Sequence, residues 1–184
     1  SAPRLMKKTS WIAILFLCLF LSSCSEDLLE PDPPPITGYA AALHGGIYKT
    51  ENGGRSWFPL EAGQEALQGY FKRLFPCPWD PTLLYITTTG AGTFVLDLST
   101  ETLTRLPGFQ DQVAYAMAFA PQGRAFSSYN AIFLGLNSQG VFKTDENASS
   151  WLPWNQGLPY RTITTLKSGT TRLYAGTVKG LFFM

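Results

Sequence analysis

The chain has 184 residues, of which 45% are hydrophobic and 15% are charged, and its formal net charge at pH 7 is +1. Lys and Arg form no long run, so the composition excludes a nucleic-acid-binding protein that relies on a basic patch. The sequence also contains no Cys-x-x-Cys, His-Glu-x-x-His or phosphate-cradling glycine motif. We therefore expect neither a metal ion nor a cofactor.

The N-terminal segment resembles the signal peptide of a bacterial lipoprotein. Two lysines follow Met6, and an apolar run from Trp11 to Leu21 leads into a Leu-Ser-Ser-Cys sequence that ends at Cys24. A charged start, an apolar run of about 7–15 residues and a small-residue cleavage site are typical of a secretory signal. The resemblance to a lipobox implies that residues 1–23 are removed and that Cys24 carries lipid. The alternative is an ordinary signal peptide with an incidental cysteine. Residues 1–5 precede the predicted start at Met6, so we interpret them as a tag or an upstream extension.

Residues 24–38 form a predicted tether of different composition. Acidic residues follow Cys24, and the segment from Pro31 to Pro35 contains four prolines, which favours a stiff, extended spacer. The acidic start resembles the export signal of surface lipoproteins in Bacteroidetes-type bacteria. Removal of residues 1–23 leaves 11 of the 14 basic residues against 13 acidic ones, a net charge of −2. We expect a bacterial outer-membrane lipoprotein that faces the periplasm or the cell surface and has no nucleic-acid partner.

A Gly-apolar-aromatic phrase recurs four times in the rest of the chain. Its glycines are Gly46, Gly92, Gly140 and Gly180, at spacings of 46, 48 and 40 residues. A segment rich in aromatic and β-branched residues precedes each glycine, which predicts two strands joined by a tight turn. Repeats of about 40–50 residues are typical of the four-stranded blades of a β-propeller. We expect an all-β, propeller-like domain over residues 39–184, incomplete or open, with about three to four antiparallel blades near 39–60, 70–107, 113–154 and 161–184.

The turn after the first phrase resembles an Asp-box, the Ser/Thr-x-Asp-x-Gly-x-x-Trp motif of sialidase-type propellers. Thr50, Asn52, Gly54 and Trp57 occupy its four defining positions. The amide of Asn52 keeps the hydrogen-bond acceptor without the charge, the glycine adopts the left-handed conformation, and the Trp packs between neighbouring sheets. We therefore expect Gly54 to have a positive φ and Trp57 to be buried.

A second, altered copy of the motif begins at Thr144 and ends at Trp151. Glu146 stands at the Asp position and is one methylene longer, and Ala148 stands at the Gly position. We expect this turn to be distorted or looser than the first. Replacement of Trp151 by Ala should then destabilise the fold less than replacement of Trp57.

These motifs carry a resemblance to the Asp-box propeller superfamily that covers Tyr39 to Met184. The superfamily includes sialidases, xyloglucan-cleaving glycoside hydrolases, sortilin-type ectodomains and the photosystem II assembly and stability factors. In these proteins the Asp-box lies at the blade periphery, away from the catalytic face. The resemblance therefore implies a fold and no particular activity.

Candidate catalytic groups are sparse. His44 is the only histidine, and we expect it to have a structural role at the end of a strand. A glycosidase needs two facing carboxyl groups about 5–10 Å apart, but Asp and Glu in turns usually cap backbone groups. The candidate carboxylates, most of them in predicted turns, are Asp80, Asp97, Glu101, Asp111, Asp145 and Glu146. We assign no catalytic residue and favour a role without catalysis.

Aromatic side chains in the predicted loops indicate binding instead. Trp79, Trp154 and Tyr160 could stack on a sugar or fill a pocket of a partner. We expect a lipid-anchored envelope protein whose propeller domain binds or scaffolds a carbohydrate or protein partner. The alternative is a truncated glycoside hydrolase of the sialidase or xyloglucanase type. Because the last repeat ends inside its third strand, we also expect an unpaired edge that favours self-association.

Overall fold

A computed structural model describes residues 35–42, 46–61 and 70–184. The predicted signal peptide, Cys24, most of the tether and His44 lie outside these residues. The described part of the chain forms fourteen strands in four antiparallel sheets and contains no helix, which confirms the predicted all-β class. Accordingly, no helix of the described segments has the length and apolar character needed to span a membrane.

Each sheet is built from strands that are consecutive in the chain, so the four sheets follow the four sequence repeats. The first sheet contains β1 (Gly38–Ala42), β2 (Gly46–Thr50) and β3 (Phe58–Pro59). The second contains β4 (Tyr70–Pro76), β5 (Leu83–Thr89), β6 (Thr93–Asp97) and β7 (Thr102–Arg105). The third contains β8 (Ala114–Ala120), β9 (Ala131–Leu136), β10 (Gly140–Asp145) and β11 (Leu152–Pro153). The fourth contains β12 (Ile163–Ser168), β13 (Leu173–Thr177) and β14 (Gly180–Phe183).

The repeated glycines open the hairpins that the sequence predicts. Gly46, Gly92, Gly140 and Gly180 have φ values of 90°, 94°, 87° and 135°. An L-residue with a side chain rarely adopts such values, because its Cβ collides with the backbone. Each of these turns therefore requires a glycine, which explains why the phrase recurs once in each sheet.

The first strands of the second, third and fourth sheets lie next to one another, because β8 contacts both β4 and β12. We call β4, β8 and β12 the inner strands. Each contains a β-bulge near its start, and a bulge increases the local twist of a strand. The register shifts lie between Phe71 and Arg73, between Ala114 and Ala116, and between Ile163 and Thr165.

The hydrophobic core lies between neighbouring sheets and not inside any one of them. Phe133 of the third sheet and Ile163 of the fourth are fully buried in one cluster. Tyr85 of the second sheet and Leu134 of the third share another cluster. A third cluster joins the first and second sheets. Each sheet is therefore stabilised by burial of apolar surface against the next sheet in the chain.

Candidate functional site

The first Asp-box turn is closed by its own side chains. The Oγ1 atom of the buried Thr50 accepts a hydrogen bond from the Gly54 N–H at 3.0 Å and donates one to Asn52 Oδ1 at 3.0 Å. Asn52 Oδ1 also accepts from the Ser56 N–H at 3.0 Å. Gly54 has a φ of 91°, as the motif predicts. This arrangement satisfies the turn internally and therefore has a structural role.

The second Asp-box turn keeps a positive φ at the glycine position of the motif but not the hydrogen bonds of the motif. Ala148 has a φ of 50° and is buried. Glu146 does not cap the turn, because its Oε2 atom accepts from Asn130 Nδ2 at 2.7 Å. Thr144 Oγ1 donates to the Ser150 carbonyl oxygen at 2.5 Å. The expected distortion therefore affects the side-chain hydrogen bonds and also the backbone, because Asn147 lacks the positive φ of 68° that Gly53 has at the same position of the first turn.

The two motif tryptophans differ in burial, and the more exposed one is that of the intact motif. Trp57 is 44% exposed and lies over Gly38 and Gly54, so the prediction that it is buried is wrong. Trp151 is half-buried and meets Phe109 edge-on, with ring centroids 5.8 Å apart. Phe109 follows the last strand of the second sheet, whereas no described sheet precedes the first. The burial of an Asp-box Trp therefore depends on the preceding sheet, which the motif itself does not contain.

The three aromatic residues predicted to face a ligand do not form one surface. Trp79 is half-buried and meets Phe119 edge-on, with ring centroids 5.6 Å apart. Trp154 is half-buried and packs against the core between the third and fourth sheets. Tyr160 is 43% exposed, and its ring centroid lies 5.8 Å from that of Phe182. Of the three, Tyr160 alone presents an exposed ring.

A groove opens where the three inner strands end, and we call it the inner-strand groove. It is lined by Phe75 from β4, Met117 and Phe119 from β8, and Leu166 and Lys167 from β12, together with adjoining residues. Its volume of about 360 Å³ falls within the range of about 300–1,000 Å³ that is usual for small-molecule sites. Lys167 is its one charged lining residue, and no described carboxylate lines it. The sequence did not predict this groove, because its walls come from three separate repeats.

Three candidate carboxylates cap their own turns. Asp80 Oδ1 accepts from the Thr82 hydroxyl and N–H at 2.6 and 2.9 Å. Asp97 Oδ1 accepts from the Ser99 hydroxyl and N–H at 2.6 and 2.8 Å, and these hydrogen bonds lower the pKa of the Asp97 carboxyl group. Asp145 Oδ1 accepts one hydrogen bond in its turn, from the Asn147 N–H at 3.1 Å. Among the described residues, no group of three or more His, Cys, Asp and Glu side chains is suited to hold a metal ion.

A further candidate carboxylate belongs to an ion pair between sheets. Lys49 Nζ on β2 lies 2.9 Å from Glu51 Oε1 and 3.0 Å from Glu101 Oε1 in the turn after β6. The hydrogen bonds to Glu51 and then to Glu101 raise the pKa of Lys49. Glu101 therefore links the first two sheets through Lys49, and the ammonium group lies between its carboxylate and that of Glu51.

Cys77 is a free, buried cysteine in the core between the second and third sheets. Burial raises the pKa of its thiol, and burial also raises the pKa of Tyr85 in the same cluster to about 12. Both groups are therefore neutral at physiological pH. A thiol in this state is a poor nucleophile, so its role is packing.

No protein-family model and no curated protein matches the chain. Solved structures do match it. The GH74 enzyme of Niastella koreensis matches 79% of this chain at 16% identity with a TM-score of 0.60. The extracellular domain of a putative hybrid two-component system from B. thetaiotaomicron matches 80% at 19% identity with a TM-score of 0.59. The computationally designed protein Ika4 matches 80% at 14% identity with a TM-score of 0.60.

These similarities define the class of the fold. The described sheets form a propeller-type arrangement, which confirms the propeller-like prediction. The chain spans 22% of the Niastella koreensis enzyme and 18% of the B. thetaiotaomicron protein, but 84% of the designed protein. At these identities the likeness establishes the fold alone, and a fold of this kind serves both catalytic and non-catalytic proteins.

Proposed function

We propose that this chain is a lipid-anchored envelope protein whose propeller domain holds a carbohydrate or protein partner in the inner-strand groove. The composition of the groove carries the proposal. Phe75 and Phe119 offer partly exposed aromatic surface, and the exposed Lys167 adds a single charge. An apolar lining with few polar groups suits the burial of one face of a partner. The described lining of the inner-strand groove contains no pair of acid and base groups.

The proposed location outside the cytoplasm has two supports. The first is the Leu-Ser-Ser-Cys sequence that ends at Cys24. The second is the likeness to the extracellular domain from B. thetaiotaomicron, which is an analogy of fold. A lipid on Cys24 followed by the proline-rich tether would hold the propeller domain away from the membrane surface.

A fragment of a glycoside hydrolase of the sialidase or xyloglucanase type is the second candidate, and the likeness to the GH74 enzyme favours it. Four of the six candidate carboxylates favour binding instead. Asp80, Asp97 and Asp145 cap their own turns, and Glu101 is paired with Lys49. A carboxyl group engaged in its own turn is poorly placed to face a second one across a glycosidic bond.

The anchor is tested by mass spectrometry of the membrane fraction. We expect an acylglyceryl group on Cys24, and we expect Cys24→Ala to release the protein or to stall its maturation. A soluble, unmodified mature form that begins at another residue would contradict the anchor and leave the binding proposal standing.

The binding role is tested by a photoreactive phenylalanine analogue incorporated at Lys167 in cells that express the full chain. Lys179, which is also exposed but lies in the turn between β13 and β14, provides the matched control position. We expect one discrete covalent adduct from position 167 and none from position 179. Equal adducts from both positions, or none from position 167, would contradict a partner in the inner-strand groove.

A further inference from the structure

Lys143 on β10 carries a buried positive charge in an aromatic environment. The residue is 8% exposed, and among the described residues no carboxylate forms an ion pair with it. Its Nζ atom lies 4.7 Å from the ring centroids of Tyr129 and Trp154 and 5.7 Å from that of Phe133. One long hydrogen bond, 3.4 Å, reaches the carbonyl oxygen of Phe126. Because an ammonium group has three donors, two of them remain without a described acceptor.

Lys143 is also one of the residues that line a cleft between the β8–β9 loop and the β10–β11 turn, and we call this cleft the flank cleft. Tyr129, Lys143, Asp145, Glu146 and Asn147 line it together with neighbouring residues. Its volume is about 430 Å³, which is within the range of about 300–1,000 Å³ for small-molecule sites. A buried lysine with unused donors in the lining of a cleft of this size is a feature of a binding site.

The walls of the flank cleft are held together before any ligand arrives. Asn130 Nδ2 in the loop donates to Glu146 Oε2 in the turn at 2.7 Å, and Asn130 Oδ1 accepts from the Gln122 N–H at 2.8 Å. A site that is ordered in advance loses less conformational entropy on binding. The flank cleft shares no lining residue with the inner-strand groove, so its role does not depend on the function proposed for that groove.

We propose that the flank cleft binds an uncharged saccharide. An anionic ligand would be repelled by the carboxylates of Asp145 and Glu146, a cationic ligand would be repelled by Lys143, and an apolar ligand would remove water from all three charges. Sugar hydroxyl groups both donate and accept, so they can bond to the ammonium group and to the carboxylates together. The Tyr129 ring, which is 43% exposed, offers apolar surface to the C–H groups of a sugar ring.

Isothermal titration calorimetry of the full chain tests the proposal with hexasaccharides of glucose, mannose and xylose, and with hexagalacturonate as the charged comparison. Lys143→Met preserves an unbranched side chain among the aromatic rings but removes its donors. Loss of hydrogen bonds to a charged group should weaken saccharide affinity roughly tenfold or more. Lys179→Met, at an exposed residue that lines neither the flank cleft nor the inner-strand groove, is the matched control and should bind like the wild type.

A second variant, Tyr129→Ala, keeps the test decisive if Lys143→Met does not fold, and it should also weaken binding. The proposal is overturned if none of the uncharged hexasaccharides binds at millimolar concentration, if hexagalacturonate binds more tightly than they do, or if the flank-cleft variants that fold bind like the wild type. Failure of the crosslink at position 167 with intact saccharide binding would contradict the groove proposal and leave this one standing.

Discussion

Gly54 and Ala148 occupy the same position in two related turns, and both have a positive φ, 91° and 50°. An alanine in this conformation costs about 1–2 kcal/mol relative to the right-handed region. Ala148 is buried in the cluster that also contains Trp151, so packing of its methyl group offsets part of this cost. At the residue scale, a motif position can therefore keep its backbone geometry after its preferred residue is lost.

The first prediction at this scale reverses the one made from the motif. Trp151→Ala should cost about 2–4 kcal/mol, because it removes a ring packed against the neighbouring sheet. Trp57→Ala should cost less than about 1 kcal/mol, because that ring is largely solvated. Denaturant unfolding of both variants measures the difference. Trp151→Phe is the control and should cost less than Trp151→Ala, since it keeps an aromatic ring and removes an indole N–H that has no described partner.

The second prediction concerns Asp97. Its pKa is lowered by the hydrogen bonds from Ser99, so between the folded pKa and the ordinary value of about 3.9 the unfolded chain binds more protons. The stability contributed by Asp97 is thus present above about pH 4 and is lost as the pH falls through the folded pKa. Asp97→Asn should make the loss of stability between about pH 5 and pH 2 shallower. Asp111→Asn, at an exposed residue, is the control. The prediction would be contradicted if the free energy of unfolding fell equally steeply with decreasing pH in the wild type and in Asp97→Asn.

At the scale of elements, the strands follow from local sequence and the bulges do not. Segments rich in aromatic and β-branched residues and the turn glycines Gly92 and Gly140 locate the strands of the second and third sheets. The bulges between Ala114 and Ala116 and between Ile163 and Thr165 leave no comparable trace, because a bulge depends on the register with the partner strand.

The prediction at this scale tests the packing of one sheet on the next. A Cβ added to Gly135 on β9 would lie 2.5 Å from Ile163 Cγ2 on β12. Gly135→Ala should therefore cost about 1–3 kcal/mol by overpacking. In combination with Ile163→Ala, which removes the Cγ2 atom, the cost should fall below the sum of the two single changes. Additivity within about 0.5 kcal/mol in a double-mutant cycle would show that the two residues do not press on each other.

At the scale of the whole molecule, the sequence predicted the class of fold but not the surfaces. The recurrent glycine phrase was sufficient to predict four sheets that follow one another in chain order. The inner-strand groove and the flank cleft combine residues from separate strands and loops, such as Met117 with Leu166 and Tyr129 with Lys143. The exposure of Trp57 depends on a neighbouring sheet. These features depend on three-dimensional contacts that no single repeat contains.

The outer edge of β14 is the basis of a prediction about assembly. Leu181 and Phe183 on this strand are 69% and 57% exposed, and no described strand pairs with its outer edge. Unpaired backbone groups beside apolar side chains favour pairing with another chain. Residues 30–184 should therefore self-associate at micromolar concentration in light scattering.

A charge on the edge strand should reduce this association. Leu181→Lys should shift the protein towards a monomer, whereas Val178→Lys, at an exposed turn residue beside the strand, should not. A wild-type monomer whose β14 amides are protected from hydrogen exchange would contradict a free edge.

The claim that the propeller domain binds without cleaving is tested most directly by a reducing-end assay. The purified full chain is incubated with a panel of plant and bacterial polysaccharides, and new reducing ends are measured over time. Asp80, Asp97 and Asp145 cap their own turns, so we predict no release above the protein-free control for any polysaccharide. Steady release that is abolished by substitution of a carboxylate such as Asp111 or Glu146 would contradict the binding role and establish the hydrolase alternative.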